Sequence, residues 1–179
     1  MSHRPAPISP YKPSLHNVRL ALFQPDIAPN MGAAMRLTAC LGLGLDVIEP
    51  CGFPLSDKAL KRASLDYQDK CALIRHVDFA AFVAATRVRK SRIVLIETQG
   101  QTLLHDFAFR SDDVLMLGRE TQGTPRPVMA ACDHHVSLPM APGIRSFNVI
   151  ICGAMALTEA LRQTGGWTDL AQAGQSPQQ

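Results

Sequence analysis

A polar motif separates an apolar run from a helix-forming segment near the start of the chain. Asn30, Gly32 and Arg36 form the pattern N-x-G-x-x-x-R, and the residues around the arginine are apolar. A guanidinium in such surroundings suggests a phosphate or carboxylate partner, because it presents its donors as a planar fork. The alternative interpretation is a helix capped by Asn30 that carries an arginine by chance.

A second motif, residues 117–123 (LGRETQG), follows a short apolar run. Its glycines would allow backbone groups to approach a ligand closely, with Glu120 between them. It has neither the GxGxxG spacing of a dinucleotide loop nor the GK[ST] ending of a phosphate loop, which disfavours an ordinary nucleotide-binding enzyme. A simple glycine-rich turn with Glu120 in solvent is the alternative.

A third motif, residues 139–148 (PMAPGIRSFN), leads into an apolar segment. Arg145, Ser146 and Asn148 would place a cation, a hydroxyl and an amide at a helix N-terminus, where the free N–H groups and the helix dipole favour an anion. Ser146 can equally be an N-cap and nothing more.

Short apolar runs alternating with helical segments must position these motifs. This alternation predicts an α/β fold, a mainly parallel sheet flanked by helices, with the motifs in loops at strand ends. Strands are predicted at residues 18–23, 46–49, 92–97, 114–118 and 135–138. Helices are predicted from Asn30 to the glycines at 42 and 44, at 56–62, at 78–87, and from about 147 to 163.

The composition is that of one globular domain. Of 179 residues, 46% are hydrophobic and 18% are charged. We expect a single domain at residues 18–165, with flexible segments at 1–17 and 166–179. No apolar run approaches the roughly 20 residues of a membrane span, and the N-terminus lacks the core of a secretory signal. A cytoplasmic protein is therefore predicted.

The net charge of +3 permits contact with a polyanion without requiring it. Two basic groups stand out locally, although each is also typical of a solvated helix face. They are Lys58, Lys61 and Arg62, and then Arg87, Arg89, Lys90 and Arg92.

The five cysteines predict reduced, structural thiols, because their number is odd and no CxxC pair occurs. Cys132 lies close to His134 and His135, but no second ligand group has a matching spacing. No metal is predicted.

The order of the three motifs resembles that of the SPOUT ribose 2′-O-methyltransferases, over residues 18–165. Residues 48–67 (IEPCGFPLSDKALKRASLDY) are most similar to the bacterial members that methylate the wobble nucleotide of tRNA, a cytidine or modified uridine. Methylation of another tRNA or rRNA ribose, and a knotted RNA-binding protein without catalysis, remain alternatives. The final helix departs from the family at residues 147, 149–151 and 158.

The resemblance implies a C-terminal trefoil knot, a homodimer, tRNA as the substrate, and S-adenosylmethionine as the methyl donor, which leaves as S-adenosylhomocysteine. It assigns catalysis to Arg36, Asn30, Ser146 and Asn148. Since a protein arginine stays protonated, Arg36 is expected to act as an electrostatic clamp rather than as a base. The cofactor-binding residues that it implies are Ile96, Thr98, Gly100, Leu117, Gly118, Glu120, Leu138, Met140 and Ser146.

Overall fold

A computed structural model describes residues 17–56 and 65–175. Seven strands form one sheet in the order β3-β2-β1-β6-β4-β7-β5, and each neighbouring pair is parallel. The strands are β1 (Arg19–Phe23), β2 (Gly44–Ile48), β3 (Ala72–His76), β4 (Ile93–Ile96), β5 (Thr102–Leu103), β6 (Val114–Leu117) and β7 (His134–Ser137). The predicted α/β class with a parallel sheet is confirmed.

Five α-helices flank this sheet within the described residues. They are α1 (Ala28–Leu41), α2 (Phe79–Val88), α3 (Arg126–Ala130), α4 (Val149–Thr164) and α5 (Gly166–Gln175). Two short 3-10 helices lie at Leu65–Lys70 and Leu104–Asp106. Residues 57–62 of the predicted helix at 56–62, which include Lys58, Lys61 and Arg62, lie outside the described residues, as do 1–16, 63–64 and 176–179.

The central strands are buried on both faces, which explains their continuous apolar sequences. Met31 and Met35 of α1 and Leu157 of α4 pack on one face of the sheet, and Phe82 of α2 packs on the other. Strand β3 was not predicted from the sequence, because Arg75 and His76 shorten its apolar run. Strand β5 was not predicted either, because its two residues are too few to produce a pattern.

The first predicted helix begins two residues earlier than expected. Ile27 occupies the N-cap position of α1 and Pro29 lies in its first turn, so Asn30 is inside the helix rather than capping it. At the other end, Gly42 adopts a left-handed φ of 64° and terminates the helix, as its sequence position predicted.

The chain continues as helix α5 after Gly165, where the sequence predicted a flexible tail. Gly165 does end α4 with a left-handed φ of 81°. The indole N–H of Trp167 then donates to the Thr158 carbonyl at 3.2 Å, which fastens α5 to α4. The sequence did not indicate this helix, because most of its residues are small or polar. The hydrogen bond that anchors it comes from its one aromatic side chain, Trp167.

Asp46 of β2 is completely buried among basic side chains. Its carboxylate lies 2.5 Å from Arg19 Nε, 2.7 Å from His76 Nε2 and 3.8 Å from Arg89 Nη2. Burial by itself would raise the pKa of Asp46, but the hydrogen bond with His76 and the charges of Arg19 and Arg89 outweigh it, so the pKa is lowered. Asp46 is therefore ionised, and its negative charge offsets the positive charges of Arg19 and Arg89.

The second predicted basic group is engaged in similar ion pairs near the amino ends of the strands. Arg92 makes a bidentate pair with the buried Asp113, at 2.8 and 2.7 Å. Arg87 Nη1 lies 2.9 Å from a carboxylate oxygen of Asp133. With Arg89 beside Asp46, three of the four members of this group have a carboxylate partner. These arginines contribute to the structure of the fold.

All five cysteines are free thiols. Burial, assisted by the nearby charge of Asp133, raises the pKa of Cys132 to about 12. In residues 17–56 and 65–175, no group of three or more His, Cys, Asp or Glu side chains is placed to hold a metal ion. No helix in the same ranges is long and apolar enough to cross a membrane.

Candidate active site

A cavity of about 460 Å³ opens at the carboxyl edge of the sheet, where the loops after β4, β6 and β7 meet the start of α1. Its volume is within the usual range for small-molecule sites. Ten predicted site residues line it: Asn30, Ile96, Thr98, Leu117, Gly118, Glu120, Leu138, Met140, Ser146 and Asn148. The three motifs therefore converge on one cavity because the carboxyl ends of parallel strands share an edge.

The cavity has an apolar side and a polar side. Ile96 and Leu117, at the ends of β4 and β6, and Leu138 after β7 are buried side chains that contribute to the apolar side. Glu97 and Thr98 contribute polar groups on the loop after β4. An apolar wall with a few polar groups is typical of small-molecule sites, in which the polar groups fix the orientation of the ligand.

A chain of hydrogen bonds joins the three motifs at the cavity wall. Glu120 accepts from the backbone N–H of Asp26 at 2.8 Å and from Asn30 Nδ2 at 3.0 Å. Asn148 Nδ2 in turn donates to Asn30 Oδ1 at 3.1 Å. Glu120 is thus a bonded part of the site, contrary to the alternative that placed it in solvent. The network fixes the relative positions of segments that are far apart in sequence.

Asn148, and not Ser146, caps the last apolar helix. The Asn148 Oδ1 atom accepts from the backbone N–H groups of Ile150 at 2.9 Å and Ile151 at 3.3 Å. The N-cap is therefore Asn148, two positions after Ser146, and the capping role considered for Ser146 is wrong. Ser146 itself lies on the cavity wall.

The two predicted cofactor-binding glycines have different surroundings. Gly118 lines the cavity, and a Cβ added there would lie 2.4 Å from Thr124 Oγ1. Gly100 does not line the cavity, and a Cβ there would lie 2.4 Å from the carbonyl carbon of Val136. The absence of a side chain at Gly100 lets its loop lie against β7, where the Ser137 hydroxyl donates to the Gly100 carbonyl at 3.2 Å.

Arg119 also lines the cavity, although the sequence did not predict it as a site residue. It occupies an unspecified position of the second motif. Its guanidinium donates to Gln24 Oε1, donates to Gln122 Oε1 at 3.2 Å, and lies 6.0 Å from the centroid of the Phe23 ring. Arg119 thereby connects the loop after β1 to the loop after β6. The sequence signal that could have indicated Arg119 is its place as a cation between the two glycines of the second motif.

Glu97 was also missed, although it follows a predicted strand. Its Oε1 lies 2.6 Å from Nδ1 of His135, whose Nε2 lies 3.0 Å from the Met129 carbonyl oxygen. His135 therefore orients the Glu97 carboxylate at the cavity wall. Because the two residues are 38 positions apart in the sequence, their pairing had no local sequence signal.

Arg36 is the predicted catalytic residue that the structure separates from the others. It is exposed in α1 and does not line the cavity. Six residues of helix after Asn30 correspond to about 9 Å along the axis. The Arg36 guanidinium carbon lies 5.0 Å from the centroid of the Tyr67 ring. The structure thus brings Asn30, Ser146 and Asn148 together, but not Arg36.

Comparison with known proteins places these features in a family. The profile of the SpoU rRNA Methylase family matches residues 17–158, so the chain belongs to this family. A tRNA (cytidine(34)-2'-O)-methyltransferase of Beijerinckia indica subsp. indica is 49% identical over 146 residues, 82% of this chain and 91% of that protein. The sequence-based assignment to a class of RNA methyltransferases is confirmed.

Two solved structures are similar in fold. One, from work on the 2-OH methylation of C/U34 on tRNA, has a TM-score of 0.77 and 38% identity, and the match covers 83% of this chain and 96% of that chain. The other is the SpoU methyltransferase AviRb from Streptomyces viridochromogenes in complex with AdoMet. Its TM-score is 0.75 at 25% identity, over 84% of this chain and 62% of that chain.

Proposed function

We propose that this protein methylates the ribose 2′-hydroxyl of nucleotide 34, the wobble nucleotide of tRNA, with S-adenosylmethionine as donor. The observation that carries the proposal is the Glu120–Asn30–Asn148 network, which joins all three motifs at one cavity. The named relative at 49% identity supports the choice of tRNA and of nucleotide 34.

The cavity fits the proposed cofactor. Its apolar side, with Ile96, Leu117 and Leu138, suits an adenine ring, and Gly118 keeps the backbone of the second motif accessible. The carboxylate of Glu97 on the wall suits a ligand that carries positive charge. Thr98, Met140 and Ser146 complete the proposed contacts, while Gly100 would act by holding its loop against β7.

S-adenosylmethionine, when bound, supplies a methyl group on a positively charged sulfur. As the bond between this methyl carbon and the ribose 2′-oxygen forms, the carbon–sulfur bond breaks, and the hydroxyl proton passes to water or an RNA phosphate. S-adenosylhomocysteine remains. The protein must hold donor and acceptor in line, which can contribute on the order of 7 kcal/mol or more.

Asn30, Ser146 and Asn148 would position the reacting groups. Asn30 is buried, its amide nitrogen donates a hydrogen bond to Glu120, and its amide oxygen accepts one from Asn148. These two hydrogen bonds fix the orientation of its side chain. Ser146 is an exposed residue of the cavity wall. We assign these three residues to positioning and Arg36 to electrostatic stabilisation of the ribose oxygen and phosphate.

The position of Arg36 favours a homodimeric enzyme. Because Arg36 does not line its own cavity, it would act at the cavity of a second copy. Several large apolar side chains near α4 are exposed, including Ile144, Phe147, Ile151 and Met155, as expected for a surface that a second copy covers. A homodimer would thus complete the site.

A trefoil knot in the C-terminal part is also proposed. Its support is the family resemblance, together with the return of α4 to pack against β6 and β4 after the loop at residues 138–148. The loops after β4, β6 and β7, which line the cavity, would be the knotted segments.

The function can be tested by incubating the purified protein with methyl-labelled S-adenosylmethionine and tRNA from a strain that lacks it. We expect label in a 2′-O-methylated nucleoside at position 34 after nuclease digestion. The control is the same tRNA with a 2′-deoxyribose at that nucleotide, which should accept none. Label on a base, or in rRNA and not in tRNA, would contradict the proposal.

A further inference from the structure

We propose that Tyr67 is a positioning residue for Arg36, holding the guanidinium by its face so that its N–H edge is free for RNA oxygens. This inference rests on the proposed function, because it assumes that Arg36 acts on the ribose and its phosphate. Tyr67 belongs to the segment whose sequence carried the subfamily resemblance, but neither motif pattern nor spacing assigned it a role.

The contact is a cation–π interaction. The Arg36 guanidinium carbon is 5.0 Å from the centroid of the Tyr67 ring, inside the roughly 6 Å limit for such contacts. Tyr67 is partly buried on the 3-10 helix Leu65–Lys70, which packs against α1. The ring is therefore attached to the element that it would brace.

The other two stacked arginines of the described chain show what is different about Arg36. Arg92 lies over Phe107 at 5.4 Å, but its edge is occupied by Asp113. Arg119 lies over Phe23, and its edge is bonded to glutamines. No ion pair or hydrogen bond joins the Arg36 side chain to another described residue.

This difference determines what Arg36 can do. A guanidinium has five N–H groups in its plane, while stacking uses only its faces. Holding Arg36 by one face leaves all of these donors available for a bidentate contact with phosphate or ribose oxygens. The ring also reduces the rotamer freedom that a solvent-exposed arginine would otherwise lose on binding RNA. Tyr67 would thus preorganise the clamp.

The test compares Tyr67→Phe, Tyr67→Trp and Tyr67→Leu in methyl transfer to tRNA at saturating cofactor. The first two keep an aromatic face, and the third does not. We expect Tyr67→Leu to lower kcat about two- to thirtyfold, the range from exposed to desolvated cation–π contacts, while Tyr67→Phe and Tyr67→Trp stay within about twofold of the wild type. Affinity for S-adenosylmethionine and the melting temperature should be nearly unchanged.

A double-mutant comparison separates positioning from general damage. In an Arg36→Ala background, Tyr67→Leu should cause no further loss of rate, because the side chain that the ring positions is gone. If Tyr67→Leu lowers the melting temperature, Tyr67→Met provides the same comparison with a more adaptable apolar side chain.

Two results would overturn the inference. One is a Tyr67→Phe enzyme as slow as Tyr67→Leu, since the hydroxyl and not the ring would then matter. The other is a rise in KM for tRNA with unchanged kcat, which would make Tyr67 an RNA-binding residue only. If the wild type itself transfers no methyl group to tRNA, the proposed function fails instead, so the two failures are distinguishable.

Discussion

The arginines near the amino ends of the strands and the arginines of the three motifs differ in their partners. Near the amino ends of the strands, Arg87, Arg89 and Arg92 each face a carboxylate. The three sequence motifs carry one arginine each, and of these Arg119 lines the cavity while Arg36 and Arg145 do not. None of the three forms an ion pair with a described residue. The arginines that cluster in the sequence, Arg87, Arg89 and Arg92, are therefore less available for contact with RNA than the motif arginines.

This contrast shows why local charge density is a weak guide to RNA contact. Carboxylates from distant parts of the chain neutralise the basic cluster after folding, whereas the motif arginines keep their charge for a ligand. The arginines paired with carboxylates should therefore control stability, and the motif arginines should control activity. Substitutions in each group of arginines can test this division.

The largest effect is expected from Asp46→Asn at the buried ion cluster. Removal of this charge leaves Arg19 and Arg89 without their carboxylate, which should lower the free energy of unfolding by about 3–5 kcal/mol at pH 7. The folded variant should still methylate tRNA at a normal rate. Urea unfolding, with activity measured in the native baseline, checks both expectations.

The same variant tests the pH dependence. Because the pKa of Asp46 is lowered in the folded state, its stabilisation is present above the unfolded value, about 3.9, and is lost as the pH falls through the native value. The stability difference between wild type and Asp46→Asn should therefore shrink below about pH 4. A difference that grows there would contradict the assignment of Asp46 as the ionised partner.

Arg36→Ala should have the opposite outcome. We expect a loss of about 10²–10³ in kcat, as for the removal of a donor that stabilises transition-state charge. Stability and affinity for S-adenosylmethionine should remain as in the wild type. Arg110→Ala, which removes an exposed arginine at the amino edge, is the matched control and should be fully active. A near-normal rate for Arg36→Ala would refute its catalytic role.

The sequence predicted the parts of the site that follow from strand order. Asn30, Glu120 and Asn148 lie together because each stands beside the carboxyl end of a parallel strand, and such ends meet at one edge. The separation of Arg36 from the cavity could not be predicted, since a motif specifies order and not distance. The Asp46 cluster was equally hidden, because Arg19, Asp46 and His76 come from three different strands.

Glu120→Gln should have an intermediate effect on the network that joins the motifs. The charged acceptor of the Asp26 N–H and the Asn30 amide is replaced by a neutral amide, so we expect a loss of about 1–3 kcal/mol in unfolding free energy. Binding of S-adenosylmethionine, measured by calorimetry, should weaken as well. Glu159→Gln, which removes a surface ion pair with Arg162, should leave cofactor affinity unchanged.

The smallest effect is expected from Arg87→Ala. Its partner Asp133 is partly exposed, so the loss of this pair should cost only about 0.2–1 kcal/mol of stability. The affinity for tRNA and its dependence on salt should not change, whereas Arg145→Ala at the exposed arginine of the third motif should reduce the salt slope by about one phosphate contact. Binding titrations at several salt concentrations distinguish the two variants. An equal fall in slope for Arg87→Ala would mean that the paired arginines also contact RNA, and the division between paired and motif arginines would fail.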